Sequence, residues 1–119
     1  MKSLILAVRW EVKVEGNSRS IQLYDKDNNK IDGDKARWDG NFNCHNNQLT
    51  NLTGAPKEVG GNFSCSYNQL TSLTGAPKEV GGSFYCGNNR LTTLKGAPKE
   101  VGGNFDCYNN QLTSLTGAP

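Results

Sequence analysis

The chain has 119 residues, of which 34% are hydrophobic and 20% are charged, and its formal net charge is +2. This length is enough for one domain with a narrow core. From residue 38 onward five basic side chains balance five acidic ones. This balance excludes both the basic stripe that binds nucleic-acid phosphates and the acidic surface of a DNA mimic.

The N-terminal region has the pattern of a β-hairpin. Apolar and charged residues alternate from residue 6 to residue 15, which predicts a strand with one buried face. The apolar positions are Leu6, Val8, Trp10, Val12 and Val14. Gly16-Asn17-Ser18 indicates a turn, and residues 21–24 have the composition of the return strand. Because charges follow the apolar run at once, we expect neither a signal peptide nor a membrane span.

The segment from Asp25 to Asn29 has the acidic spacing that opens a calcium-binding loop. Such a loop requires Gly at its sixth position and a bidentate Glu at its twelfth. Those positions hold Lys30 and Ala36. We therefore predict a solvated turn without a metal ion.

A repeat of 21 residues occupies residues 38–119. Four residue types recur at this spacing, and a fixed period of this size is typical of a solenoid whose coils bury their apolar faces on one another. The recurring residues are Phe42, Phe63, Phe84, Phe105, Cys44, Cys65, Cys86, Cys107, Asn47, Asn68, Asn89, Asn110, Leu49, Leu70, Leu91 and Leu112. The sequence therefore predicts a mainly β fold, with a solenoid of about four coils over 38–119 and a hairpin cap over 1–37, as one cooperative unit.

Each copy reads Phe-x-Cys-x-x-Asn-x-Leu-x-x-Leu, as from Phe63 to Leu73. This pattern resembles the leucine-rich repeat, with Phe and Cys at its second and third leucine positions. The first leucine position departs from the pattern and holds Gly60, Gly81 and Gly102. The repeat sequence Asn-Gln-Leu-Thr-Ser-Leu-x-Gly-Ala-Pro is also similar to short repeats in bacterial and tailed-phage proteins.

Spacing within the repeat assigns a role to each residue type. Phe and Cys are two apart and face the core from one strand, because side chains alternate along a strand. The Asn is expected to hydrogen-bond the backbone at the turn and its copy in the next coil. The stretch from Gly54 to Gly61 contains Pro56 and paired glycines, which disfavour a helix. We expect an extended or 3₁₀ convex side.

The cysteine column is predicted to be a row of buried, reduced thiols. Stacked strands lie ~4.8 Å apart, within the Cα distance of a disulfide, but parallel Cβ vectors make the disulfide dihedral difficult. Without a Cys-x-x-Cys pair or a Cys/His cluster, we expect neither zinc nor another cofactor. Because neither a signal peptide nor a membrane span is expected, we predict a cytoplasmic location, where thiols stay reduced.

Positions that face outward beside Phe and Cys vary between copies and carry Tyr, Asn, Ser and Gly. This composition favours protein binding, because Tyr offers contact area with few rotatable bonds. In a leucine-rich repeat these positions lie on the concave β-face. The predicted partner-binding residues are Asn43, His45, Ser64, Ser66, Tyr67, Tyr85, Asn88, Asp106 and Tyr108. The alternative interpretation is that unconstrained outward positions have drifted, and another places the function in the hairpin.

Catalysis is not expected from this sequence. His45 is the sole histidine and follows Cys44 directly, so the two side chains point to opposite faces of a strand and cannot form a nucleophile–base pair.

The last coil has an apolar edge, where two copies of the chain could pair as a homodimer. The residues of this edge are Phe105, Leu112 and Leu115.

We therefore expect a non-enzymatic module that binds a protein. The similarity of the repeat sequence to phage repeats favours an inhibitor of a host enzyme or defence complex. Two alternatives stay open at this point. One is a structural repeat protein that has no specific ligand. The other is a carbohydrate or nucleic-acid binder that stacks its tyrosines on the ligand.

Overall fold

The computed structural model describes residues 3–119, and the regular structure in this range is almost entirely β-strand. A single 3₁₀ turn spans Gly33–Lys35. The twelve strands in the described range are β1 Ile5–Leu6, β2 Arg9–Glu15, β3 Ser18–Tyr24, β4 Lys30–Ile31, β5 Ala36–Trp38, β6 Phe42–Asn43, β7 Glu58–Val59, β8 Phe63–Ser64, β9 Glu79–Val80, β10 Phe84–Tyr85, β11 Glu100–Val101 and β12 Phe105–Asp106. The predicted mainly β fold is confirmed. No helix in residues 3–119 combines the length and the apolar composition that crossing a bilayer requires.

The repeats wind into a β-solenoid with two parallel sheets. One sheet has the order β6-β8-β10-β12 and the other β1-β5-β7-β9-β11. Paired residues of successive repeats occupy the same repeat position, as in Phe42 with Phe63 and Glu58 with Glu79. We call residues 42–62 coil 1, residues 63–83 coil 2, residues 84–104 coil 3 and residues 105–119 partial coil 4.

Identical side chains stack through the core from coil to coil. Phe42, Phe63 and Phe84 are fully buried, and neighbouring rings in the column that continues to Phe105 lie 5.2–5.5 Å apart, nearly parallel. Leucines and cysteines form equivalent columns, and Cys44, Cys65 and Cys86 are fully buried. The predicted inward orientation of Phe and Cys is therefore confirmed.

The repeated asparagine joins neighbouring coils through backbone groups. Asn89 Oδ1 accepts from the Leu70 N–H at 3.1 Å, and its Nδ2 donates to the carbonyl oxygens of Cys65, Cys86 and Gly87 at 3.0–3.3 Å. Asn68 and Asn110 repeat this arrangement in their own coils. The predicted bonds to the turn are confirmed. The predicted hydrogen bond between equivalent asparagines of neighbouring coils involves the backbone of one of them, since Asn68 Oδ1 accepts from the Asn47 N–H.

The side of each coil opposite the Phe–Cys strand is extended, as predicted. It carries the two-residue strands β7, β9 and β11. The glycines that follow them are required by close packing, because an added Cβ at Gly60 would lie 2.4 Å from the Asp39 carbonyl oxygen. At Gly61 a Cβ would lie 2.3 Å from Asn41 Oδ1. These contacts explain why each repeat carries paired glycines at this point.

The N-terminal hairpin is present, but the single strand predicted over residues 6–14 divides between two sheets. Ala7 N–H donates to the Arg37 carbonyl at 2.9 Å, and Val8 N–H donates to the Tyr24 carbonyl at 2.9 Å. β1 therefore pairs with β5, whereas β2 pairs with β3. Val8 and Val14 are 49% and 57% exposed. The prediction of a continuous buried face was wrong at these two positions. The backbone changes from one sheet to the other at Val8, and Val14 lies beside the hairpin turn.

The hairpin covers the open end of coil 1. Trp10 packs on Phe42 with ring centroids 5.3 Å apart, and Trp38 meets the same ring edge-on at 4.9 Å. Strand β3 adds backbone hydrogen bonds from Ile21 N–H to the Thr53 carbonyl and from Thr50 N–H to the Arg19 carbonyl. The two regions therefore share one apolar core. Their predicted boundary at residue 37 and their cooperative unfolding stay predictions.

The loop after β3 is a hydrogen-bonded turn. Asp25 Oδ1 accepts from the N–H groups of Asp27 and Asn29, both at 2.9 Å. These bonds, chiefly the one from Asn29, hold the pKa of Asp25 below its ordinary value. Asn28 takes a positive φ of 65°. This carboxylate is used by its own turn, as in an Asx turn.

Candidate functional site

The outward positions predicted to bind a partner lie on the four-stranded sheet. Strand register aligns Asn43, Ser64, Tyr85 and Asp106 in one row across the coils. The position after each cysteine forms a second row, and the position after that forms a third. Their residues are His45, Ser66, Gly87 and Tyr108, followed by Asn46, Tyr67, Asn88 and Asn109.

Seven of the nine predicted residues line one shallow depression of about 380 Å³. They are His45, Ser64, Ser66, Tyr67, Tyr85, Asp106 and Tyr108. The three tyrosines therefore share one lining, and we call this surface the tyrosine depression. Asn43 and Asn88 lie outside the lining. The role of all nine residues in binding stays a prediction.

Small residues in the second row leave room for the rings. Ser66 is only 9% exposed, so it offers little surface to a partner. Gly87 lies beneath the Tyr108 ring, and an added Cβ there would come within 2.6 Å of the ring carbon Cε1. The Tyr108 ring therefore rests on the backbone of coil 3. Tyr108 remains 51% exposed, so most of its surface is open to a ligand.

Tyr67 has a backbone conformation that tyrosine rarely adopts. Its φ is +58°, in the left-handed region. The same repeat position in the other coils holds Asn46, Asn88 and Asn109, with φ of 56°, 58° and 52°. Asparagine tolerates this conformation, whereas a bulky side chain is strained there. The Tyr67 side chain is also 58% exposed, so burial does not account for the choice of tyrosine.

Electrostatics in the tyrosine depression are acidic. Of the seven described residues that line it, Asp106 is the one carboxylate and none is lysine or arginine. Asp106 Oδ1 accepts from the Tyr108 backbone N–H at 3.3 Å. The ion pairs found within residues 3–119 all involve residues 9–39. The Asp106 charge is therefore unpaired within this part of the chain.

A larger groove of about 770 Å³ runs along the other parallel sheet and was not predicted. It extends from Trp38 to Phe105 and includes Glu58, Glu79 and Glu100, which are register partners in one row. Each of these glutamates directly follows a lysine in the sequence. No ion pair within the described chain joins the glutamates to lysine, however. The 21-residue spacing of the glutamates was the signal that could have identified this row.

The thiols are free, and no disulfide joins any of the four cysteines in the described chain. Burial raises the pKa of Cys44 and of Cys65 far above the ordinary value, and it raises the pKa of Cys86 to about 12. Cys107 is half-buried. Across residues 3–119, no group of three His, Cys, Asp or Glu side chains could hold a metal ion. His45 is exposed whereas Cys44 is buried, so they lie on opposite faces.

Partial coil 4 leaves apolar surface open. Phe105 and Leu112 are half-buried, and Leu115 is 69% exposed. Within residues 3–119, β11 and β12 each have a neighbour on one side only. The three predicted edge residues therefore lie in the last coil of the described range.

Comparison with known proteins identified no similar protein. The chain matches no protein-family model, no curated protein and no solved structure.

Proposed function

We propose that this protein is a non-enzymatic module that binds a partner protein through the tyrosine depression. The observation that carries the proposal is the convergence of Tyr67, Tyr85 and Tyr108, with Tyr67 retained at a strained position. Strain at an exposed residue is typical of functional sites. Clustered aromatic side chains commonly supply most of the binding energy of an interface.

The size of the surface limits what it can do alone. Four strands at ~4.8 Å spacing span roughly 14 Å, whereas a stable interface buries about 800 Å² on each partner. We therefore propose that residues beyond the tyrosine depression take part. The surfaces that we propose for this role are the hairpin and the solenoid edge.

We also propose that the coils are short leucine-rich repeats and that the protein is a cytoplasmic inhibitor from a phage or other mobile element. The resemblance of the repeat sequence to phage repeats supports the proposed origin. The free thiols support a reducing compartment. A partner enzyme or defence complex of the host is the target that this origin suggests. A homodimer through Phe105, Leu112 and Leu115 is part of the same proposal, and the open strand edges support it.

Capture from a host lysate, followed by mass spectrometry, tests the proposed function. The test variant combines Tyr67→Asn, Tyr85→Ala and Tyr108→Ala, which remove rings that are exposed or partly exposed. We expect it to bind the captured partner at least about 30-fold more weakly, which corresponds to about 2 kcal/mol, while its melting temperature does not fall.

A matched variant on the other sheet is the control. Glu79→Gln changes the middle of the glutamate row in the larger groove and should leave the affinity unchanged. Loss of binding in this variant, with full binding in the tyrosine variant, would move the function to the larger groove. Capture of no partner by the wild-type protein would favour a structural repeat protein.

A further inference from the structure

We infer, on the basis of the proposed function, that the group which the partner inserts into the tyrosine depression is an arginine or lysine side chain. The lining combines three tyrosine rings with one unpaired carboxylate, that of Asp106. Ring faces attract cations that lie within ~6 Å of the ring centroid. The carboxylate adds a partner that a guanidinium or ammonium group can reach by hydrogen bonding.

Strand pairing sets the geometry of this site. Tyr85 and Asp106 are register partners on adjacent strands, so their side chains emerge side by side on one face. Tyr108 follows Asp106 by two residues, and its ring lies over Gly87. A cation that contacts the Tyr85 and Tyr108 rings would therefore lie near the Asp106 carboxylate, which belongs to the same lining.

The hairpin of this chain contains a similar site in which a tyrosine ring and a carboxylate hold an arginine side chain. The Arg9 guanidinium lies 3.8 Å from the centroid of the Tyr24 ring. It is also 3.6 Å from the Glu11 carboxylate, which accepts a hydrogen bond from the Tyr24 hydroxyl. One ring and one carboxylate thus hold one guanidinium. The tyrosine depression offers the ring and the carboxylate, and its described lining contains no lysine or arginine.

The same charge distribution disfavours other occupants. A phosphate would meet the Asp106 carboxylate with no lysine or arginine in the lining to offset the repulsion. A purely apolar side chain would bury that carboxylate without a counter-charge, which is costly. A sugar could stack on the tyrosines, and it is therefore included as an outcome of the test.

Selection from a random peptide library by mRNA display is the test, because such a selection works with any partner sequence. The immobilised baits are the wild-type protein, the triple tyrosine variant described above, Asp106→Asn and Glu79→Gln. We expect peptides that bind the wild type and Glu79→Gln to share an arginine or lysine at one aligned position. Replacing that residue by neutral citrulline or norleucine should weaken binding about tenfold.

A double-mutant cycle then assigns the contact to Asp106. Asp106→Asn should weaken the cationic peptide about five- to tenfold and leave the neutral peptide nearly unchanged. Tyr85→Phe keeps the ring face and should retain binding, whereas Tyr85→Leu should lose it. Thermal melting of each variant shows whether it has folded.

The outcomes separate this inference from the proposed function. Peptides that depend on the tyrosines but lack an aligned cation would overturn the cationic anchor and leave protein binding in place. Absence of any tyrosine-dependent peptide would overturn both. Tyrosine-dependent binding on a glycan array, in that case, would identify the site as a carbohydrate site.

Discussion

The three buried thiols should make the protein unusually sensitive to alkaline pH. Burial raises the pKa of Cys44, Cys65 and Cys86 in the folded state, whereas a thiol in the unfolded chain ionises near pH ~8.5. Between these values the folded state holds protons that the unfolded state has released. The free energy of unfolding therefore falls as the pH rises above ~8.5.

The magnitude follows from the number of thiols. Each thiol contributes a slope of about 1.4 kcal/mol per pH unit, so the three together contribute about 4 kcal/mol per unit. Two units above the pKa of a free thiol, the loss reaches about 8 kcal/mol. This is comparable to the whole stability of a typical domain, ~5–15 kcal/mol. We expect the protein to unfold at roughly pH 10–11.

Urea unfolding followed by far-UV circular dichroism between pH 7 and pH 10, with a reductant present, measures this slope. Cys65→Ala should reduce the alkaline slope by about one third, whatever it does to the stability at pH 7. Val80→Ala, which truncates a buried side chain of coil 2, should lower the stability and keep the wild-type slope. An identical slope in the wild type and Cys65→Ala would refute the reasoning.

Three more predictions concern other parts of the structure. Tyr67→Asn should raise the free energy of unfolding by about 1 kcal/mol, because the left-handed backbone suits asparagine, whereas Tyr108→Asn should give no gain; a destabilised Tyr67→Asn would contradict the strain. Asn89→Ala should lower the stability by about 2–4 kcal/mol in urea unfolding, because buried backbone groups of two coils lose a partner; a change below about 1 kcal/mol would show that water replaces the amide. Light scattering should give a dimer mass that Phe105→Lys reduces to the monomer, and a dilution-stable monomer of the wild type would exclude the proposed contact.

Much of the fold could be predicted because a solenoid converts sequence period into spatial register. Residues 21 apart in the sequence become neighbours on adjacent strands. The burial of Phe63 and Cys65 and the coil-to-coil bonds of Asn68 follow from that single relation. No comparable relation exists for the hairpin. The change of sheet at Val8 depends on a pairing with Tyr24, and alternation along the chain does not contain that information.

The row positions of the candidate site were predictable, whereas the strain at Tyr67 and the glutamate row on the other sheet were not. The sequence placed Tyr67 among outward residues, but its strained backbone became visible only with the φ angle of the folded chain. Asparagine at that position in the other copies was the available signal. The row of Glu58, Glu79 and Glu100 was missed because charges were summed along the chain, whereas the fold sorts them by repeat position.

Near-identical coils also create an ambiguity during folding. A coil that docks one repeat out of place still meets phenylalanine, cysteine and asparagine at the expected positions, so local contacts alone barely distinguish correct stacking from a slipped arrangement. Trp38 and Asp39, at the repeat positions that later coils fill with Val59 and Gly60, make the hairpin end different from every other coil boundary. Assembly that starts at this end has an unambiguous origin from which each later coil is counted.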